Sequence, residues 1–190
     1  MKHLRFGFKM NIRKTLPFTF LFVAFFLPRL INAQELSGDE SALYSLVMKY
    51  RKSKGLPAIP LSKSLTTVAQ VHARDLEENY SPDPKCNLHS WSNNGNWIPV
   101  CYTKDHAKAE LMWSKPGELT KYQGKGYEIA FAEDEAYLAN AENALEAWKS
   151  SKDHNAVILN RGIWKKKWNA IGIGINGSYA VIWFGNEPDK

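Results

Sequence analysis

Apolar and polar positions alternate along the chain in a few distinct ways, each predicting a different element. Ser37 followed by Glu40 has the form of a capping box, in which each side chain satisfies an orphan N–H at a helix start. Beyond it Leu43, Leu46, Val47 and Tyr50 recur at helical spacing, and Gly55 stops the run. Pro57 and Pro60 hold an extended link from Leu56 to Leu61. Ser62 then caps a second helix, with Leu65, Val68, Ala69, His72 and Leu76 on its inner face. On that face His72 reads as a packed histidine rather than a working one.

From Tyr80 to Ile98 the periodicity breaks, with Pro82, Pro84, Asn87, Asn93, Asn94, Gly95 and Asn96 mixed with Trp91 and Trp97. A loop of this length usually has a functional reason. A third helix is expected from Asp105 to Trp113, ending before Pro116. Gly126 to Phe131 reads as a short strand, and Ala136 to Lys149 as a helix with Leu138, Ala141, Leu145 and Trp148 on one face. The segment Ser150 to Asn160 then sets a single histidine, His154, between a polar loop and an apolar run. The backbone that turns such a loop also aims the imidazole.

The C-terminal part carries the clearest local signal. Ala170 to Ile175 and Ser178 to Phe184 flank Asn176-Gly177, and Asn-Gly between two such runs predicts a hairpin with a type I′ turn. That loop would pair Ile175 with Ser178 and Ile173 with Ala180 on one face. On the other it would pair Gly174 with Tyr179, Gly172 with Val181 and Ala170 with Trp183. Small residues opposite large ones leave room for a close helix, and the unbroken apolar second strand implies cover on both faces. The same Asn176-Gly177-Ser178 also fits a glycosylation sequon, although the turn already explains it.

Composition is that of an ordinary globular protein, 44% hydrophobic and 13% aromatic over 190 residues. The formal charge of +6 invites a nucleic-acid reading, but six of the 25 basic residues lie in residues 1–33 beside no acidic one. The remainder balances at 19 basic against 19 acidic, and no nucleic-acid partner is expected. Residues 1–33 have the basic, apolar and small-residue regions of a secretory signal peptide, starting at Met1 or Met10, with cleavage after Ala33. The apolar run, Leu16 to Leu27, is short of the ~20 residues a membrane-spanning helix needs. Residues 34–190 are then one exported domain, secreted or periplasmic, without a transmembrane segment. In that setting Cys86 and Cys101 most simply form a disulfide worth roughly 3 kcal/mol. The alternative is a structural zinc held by both cysteines with His89 and His106.

Several stretches, in order and sensibly spaced, resemble the CAP superfamily of cysteine-rich secretory, antigen 5 and pathogenesis-related proteins. They are Arg51-x-x-x-Gly55-Leu56-Pro57 with Leu61-Ser62-x-x-Leu65 and Ala69-Gln70, then Asn87-Leu88-His89-Ser90, then Ala147-Trp148 to His154-x-x-x-Ile158-Leu159, and finally the hairpin ending Trp183-Phe184-Gly185. The resemblance implies an α+β fold, a three-layer α-β-α sandwich around a small antiparallel sheet. It also implies a cavity lined by two histidines and two acidic residues that in some members holds a divalent metal. By position His89 and His154 match the histidines and are the metal-ligand candidates. Where the family has its first glutamate this chain has Tyr127, with Glu128 one residue later; where it has its second, this chain has Ser151. One step along a strand reverses the face unless a bulge intervenes.

His89, His154, Glu128, Tyr127 and Ser151 are therefore the candidate cleft residues. No cofactor is required, and a zinc at the histidine pair is the one cofactor the donors suggest. The expected role is a binding or interaction module for a small apolar or cell-surface ligand, since a shaped cleft needs only convergent polar groups on an apolar wall. The alternative is a metal-dependent peptidase or esterase using the histidine pair. Trp164-Lys165-Lys166-Lys167-Trp168 reads either as a solvated turn with inward tryptophans or as a contact to an anionic surface.

Overall fold

Each of the first two helices begins where a side chain can cap it. In the computed structural model, which describes residues 35–134 and 137–190, α1 spans Gly38–Ser53 behind a complete Ser37–Glu40 capping box. It ends as Gly55 takes φ +73°, which glycine adopts without strain. Helix α2 spans Lys63–Asn79, and the Ser62 side chain accepts from Leu65 N–H. The export signal expected over residues 1–33 lies outside the described residues. The described residues belong to one unit.

The third predicted helix is two. His106 takes φ +58°, so helical backbone begins only at Ala109; α3 spans Ala109–Trp113 and α4 spans Lys115–Leu119. Pro116 does not end the helical segment, because it falls in the first turn of α4, where no N–H is needed. Helix α5 also starts later than the apolar spacing suggests, at Ala141–Ser150, because Asn140 caps it by accepting from Asn143 N–H. Leu138, expected on its inner face, is outside the helix and 75% exposed. Helix α6, Lys152–Ile158, follows at once, capped by Ser151.

Strands β1 (Gly126–Ala132), β2 (Ala170–Asn176) and β3 (Tyr179–Gly185) form an antiparallel sheet in the order β1-β3-β2. The hairpin exists, but its two loop residues are Gly177 and Ser178, so the register is Ile175↔Ala180, Ile173↔Ile182 and Gly172↔Trp183. Of the turn residues only Gly177 has positive φ, +54°, which belongs to a turn with glycine at its first central position rather than to type I′. The slip is two residues, so every side chain keeps its predicted face. A Cβ on Gly172 would lie 2.0 Å from the Leu65 backbone and one on Gly174 2.3 Å from that of Ala69. These glycines let α2 lie directly against the sheet.

The central strand β3 is covered on both sides. Ile129, Ile171, Ile173, Ile182 and Phe184 pack with α1, α5 and α6 through Leu43, Val47, Trp148 and Ile158. On the opposite face Trp183 and Ala170 pack with Leu65, Val68, Trp91 and Met112. The architecture is the expected α-β-α arrangement. Arg51, only 1% exposed, ties two helix ends together by donating to the carbonyls of Pro57 and Ile158 and to Asn160 Oδ1.

Candidate functional site

Strand β1 pairs with β3 residue for residue with no bulge, so Tyr127 and Glu128 point to opposite faces. Tyr127 joins an aromatic cluster, its ring centroid 5.1 Å from Trp164 and 5.7 Å from Trp113 and Trp168. Glu128 points toward α2, where its side chain is fully buried. There Oε1 accepts from His89 Nδ1 at 2.8 Å, and Oε2 meets His72 Nδ1. His72, read from the sequence as a packed residue, is packed and is also the carboxylate's closest partner. Its contact spans 56 positions, and no local pattern signals it.

The partners of His72 fix its protons. Its Nε2 lies 2.9 Å from the Ser90 carbonyl, which can only accept, so Nε2 carries hydrogen. Its Nδ1 faces a carboxylate oxygen, so the ring donates at both nitrogens as an imidazolium. The ring also stacks on Trp91 at 4.2 Å with planes 5° apart, which suits a cation over an aromatic face. Burial opposes this charge, but the Glu128 carboxylate, its hydrogen bond and the Ser90 carbonyl together raise the His72 pKa above its ordinary value. Burial likewise opposes ionised Glu128, and the charge and hydrogen bond of His72, with the hydrogen bond of His89, outweigh it and lower its pKa.

His89 is mounted on the loop closed by the Cys86–Cys101 disulfide. That bond removes the zinc alternative built on both cysteines; of its other two ligands, His106 instead bonds Tyr102 Oη through Nδ1 at 2.9 Å. Asn87 accepts from His89 N–H through Oδ1, and its own N–H donates to Tyr102. Asp75 of α2 holds the far part of the loop through Ser92 N–H and Oγ–H. A cavity of about 410 Å³ runs along this loop, lined by Ser90, Trp91, Ser92, Asp75 and both cysteines. Neither His89 nor His154 is among its lining residues.

With Nδ1 bonded to Glu128, His89 has Nε2 as its remaining ring nitrogen, and its side chain is 22% exposed. His154 lies in the first turn of α6, where Ser151 Oγ accepts from its N–H at 3.4 Å. Ser151 thus acts on the backbone of His154. Burial lowers the His154 pKa, the charge of His89 lowers it further, and Asp153 and Glu128 oppose this only in part. His154 is therefore neutral at pH 7 and within electrostatic reach of both His89 and Glu128.

The family model for the cysteine-rich secretory protein family, CAP, matches residues 44–181. The chain belongs to the CAP family. Among solved structures it is similar to an extracellular SCP-domain protein of Bacillus anthracis, with a TM-score of 0.56 and 17% identity over 79% of this chain and 41% of that one. It is also similar to an outer surface protein of Borrelia burgdorferi, with a TM-score of 0.52 and 18% identity over 80% of this chain and 93% of that one. The chain thus spans about two-fifths of the first and nearly all of the second. No curated protein matches it significantly in sequence.

The divalent metal that the CAP resemblance implies fits these donors poorly. Both oxygens of Glu128 are already bonded to histidines, Tyr127 is in an aromatic cluster, and Ser151 caps a helix. Among the described residues no three His, Cys, Asp or Glu side chains converge as a ligand set. Two neutral imidazoles without an anionic ligand give little charge compensation to a dication.

Proposed function

We propose that this CAP-family chain is an exported binding module whose cleft, bordered by His89 and His154, takes a small apolar or cell-surface ligand without chemistry on it. The observation that carries this reading is the commitment of Glu128. A hydrolytic centre built on the two histidines would draw its base or anionic metal ligand from the carboxylate beside them, and this one is spent on holding His72 and His89. The imidazole groups then serve as polar contacts, His89 through Nε2 and His154 as a neutral ring. Export is supported by the signal-like pattern of residues 1–33 and by the extracellular and outer-surface settings of the two structurally similar proteins. No helix among the described residues is long and apolar enough to cross a membrane.

A fluorescent fatty acid such as cis-parinaric acid serves as the apolar probe, and p-nitrophenyl acetate and casein as hydrolysis substrates. Saturable probe binding weakened by His89→Ala and His154→Ala, with no turnover, is expected. Chelator-sensitive turnover lost in His154→Ala would replace this reading with the metal-dependent hydrolase.

A further inference from the structure

A second surface is built on the turn between α6 and β2. Asn160 opens it with φ +52° and clamps it by donating through Nδ2 to the carbonyls of Trp164 and Lys166. Trp164 and Trp168 point inward against each other and against Tyr127, and Trp168 also donates to the Val157 carbonyl. The turn is thereby fixed from behind. In front it presents Ile163, 87% exposed, with Arg161, Lys165, Lys166 and Lys167, all exposed. No acidic residue lies between Arg161 and Lys167.

The neighbouring elements extend the positive charge. Asn186 donates to the Lys167 carbonyl, and beside it a cavity of about 290 Å³ is lined by Lys125, Lys166 and Lys190 with Gln123 and Asn186. Glu187 is the one carboxylate at its wall, and Lys125 is shared with exposed Glu110. At the other end Lys54 and Lys149 both lie over the Tyr50 ring, whose hydroxyl bonds Asn155 of α6. Glu146 pairs with Lys149, and Asp189 is occupied in capping α2 through Ser62 and Ser64. Residues 34–190 are neutral in sum, so this concentration of lysines reflects segregation of charge rather than excess.

We infer that this turn and its adjoining lysine-lined cavity dock on a bilayer surface carrying anionic phosphate headgroups. The lysines supply attraction to the headgroups. Ile163 supplies what a soluble polyanion would not need, an apolar side chain held out of the protein at the centre of a basic collar, where it enters the interfacial region. The rigid backing by Trp164 and Trp168 presents the tip without an ordering cost on contact. This inference does not depend on the ligand of the His89 and His154 cleft.

The test uses the full chain with Ile163→Cys labelled by a polarity-sensitive fluorophore, and Glu142→Cys, exposed on α5, as the remote control. Because Cys86 and Cys101 are joined, each variant carries one free thiol. Vesicles containing phosphatidylglycerol should blue-shift the label at 163 but not at 142, and pure phosphatidylcholine vesicles should shift neither. Adding Lys165→Gln, Lys166→Gln and Lys167→Gln should lower the partition coefficient read at 163 by about 100-fold, at roughly fivefold per lysine. His89→Ala should leave the shift intact, which separates this surface from the cleft. No shift at 163, an equal shift with neutral vesicles, or an equal shift with soluble polyphosphate would each overturn the inference. A circular dichroism melt unchanged by the lysine substitutions excludes unfolding as the cause of a lost signal.

Discussion

A buried carboxylate is stable only when its charge and lone pairs are met, and at Glu128 two histidines from different elements do this. His72 arrives from a helix already locked against the sheet, and His89 from a loop tied down by a disulfide. Removing the carboxylate strands the His72 charge, so Glu128→Gln should cost on the order of 3 kcal/mol in urea unfolding. The pH dependence has a defined sign. Glu128 has its pKa lowered, so its contribution is present above its unfolded value of 4.5 and lost as pH falls through the folded value. His72 has its pKa raised, so its contribution is complete below its unfolded value of 6.5 and lost as pH rises through the folded value. The gap in urea midpoint between wild type and Glu128→Gln should therefore be widest near pH ~5.5, between the two unfolded values, and narrow as pH rises through the folded value of His72. A gap that widens with pH would place the proton elsewhere. His154 has the opposite sign to His72: with its pKa lowered by burial first, it withdraws stability as pH falls below 6.5. In His154→Gln that part of the acid-side slope should disappear.

At the scale of elements, local chemistry in the sequence located most starts and stops, because a cap acts over three or four residues. Ser37, Ser62 and Gly55 do what their types suggest. The errors occur where two local signals compete. Asn176-Gly177 and Gly177-Ser178 can both make a two-residue loop, and the second wins; the Ser178 N–H is met by Glu77 at 2.9 Å, a partner 101 positions away. In the same way Asn140 overrides the apolar spacing that begins at Leu138. The site was legible only in part. His89 and His154 were visible as isolated histidines in a family-like order, whereas His72 required knowing both which strand residue faces α2 and how closely α2 lies. That closeness is itself testable. Gly174→Ala places a methyl against the Ala69 backbone, which cannot yield as a side chain would, and should cost about 3 kcal/mol as overpacking. Gly177→Val meets only the movable end of Glu77 but must hold a β-branched residue at positive φ, so about 1–3 kcal/mol is expected. Denaturation midpoints that rank Gly177→Val as the costlier change would mean that α2 is free to move off the sheet.

For the whole molecule, the question is what holds the disulfide loop, and with it His89, against the helical core. Two apolar clusters on opposite faces of β3 hold the sandwich together. The loop from Cys86 to Cys101 is held differently, by one short bridge, Trp91↔Val100, by Asp75 on Ser92, by the contacts of His72 with Ser90 and Trp91 and of Glu128 with His89, and by the covalent bond. Closing a loop of this length is worth roughly 3 kcal/mol. In a chain of this size that corresponds to a fall in Tm of about 6–12 °C. Calorimetry on wild type and on Cys86→Ser with Cys101→Ser, each with and without EDTA, separates the two contributions. The double variant should melt lower by that margin, and the chelator should change neither Tm. Zinc added in excess should raise the wild-type Tm little, because two neutral imidazoles bind a dication weakly, and any rise should fade at pH ~5.5 as protons compete for the same nitrogens. A wild-type Tm lowered by EDTA would show that a resident cation supports the fold, and the assignment of Glu128 to His72 and His89 alone would have to be given up.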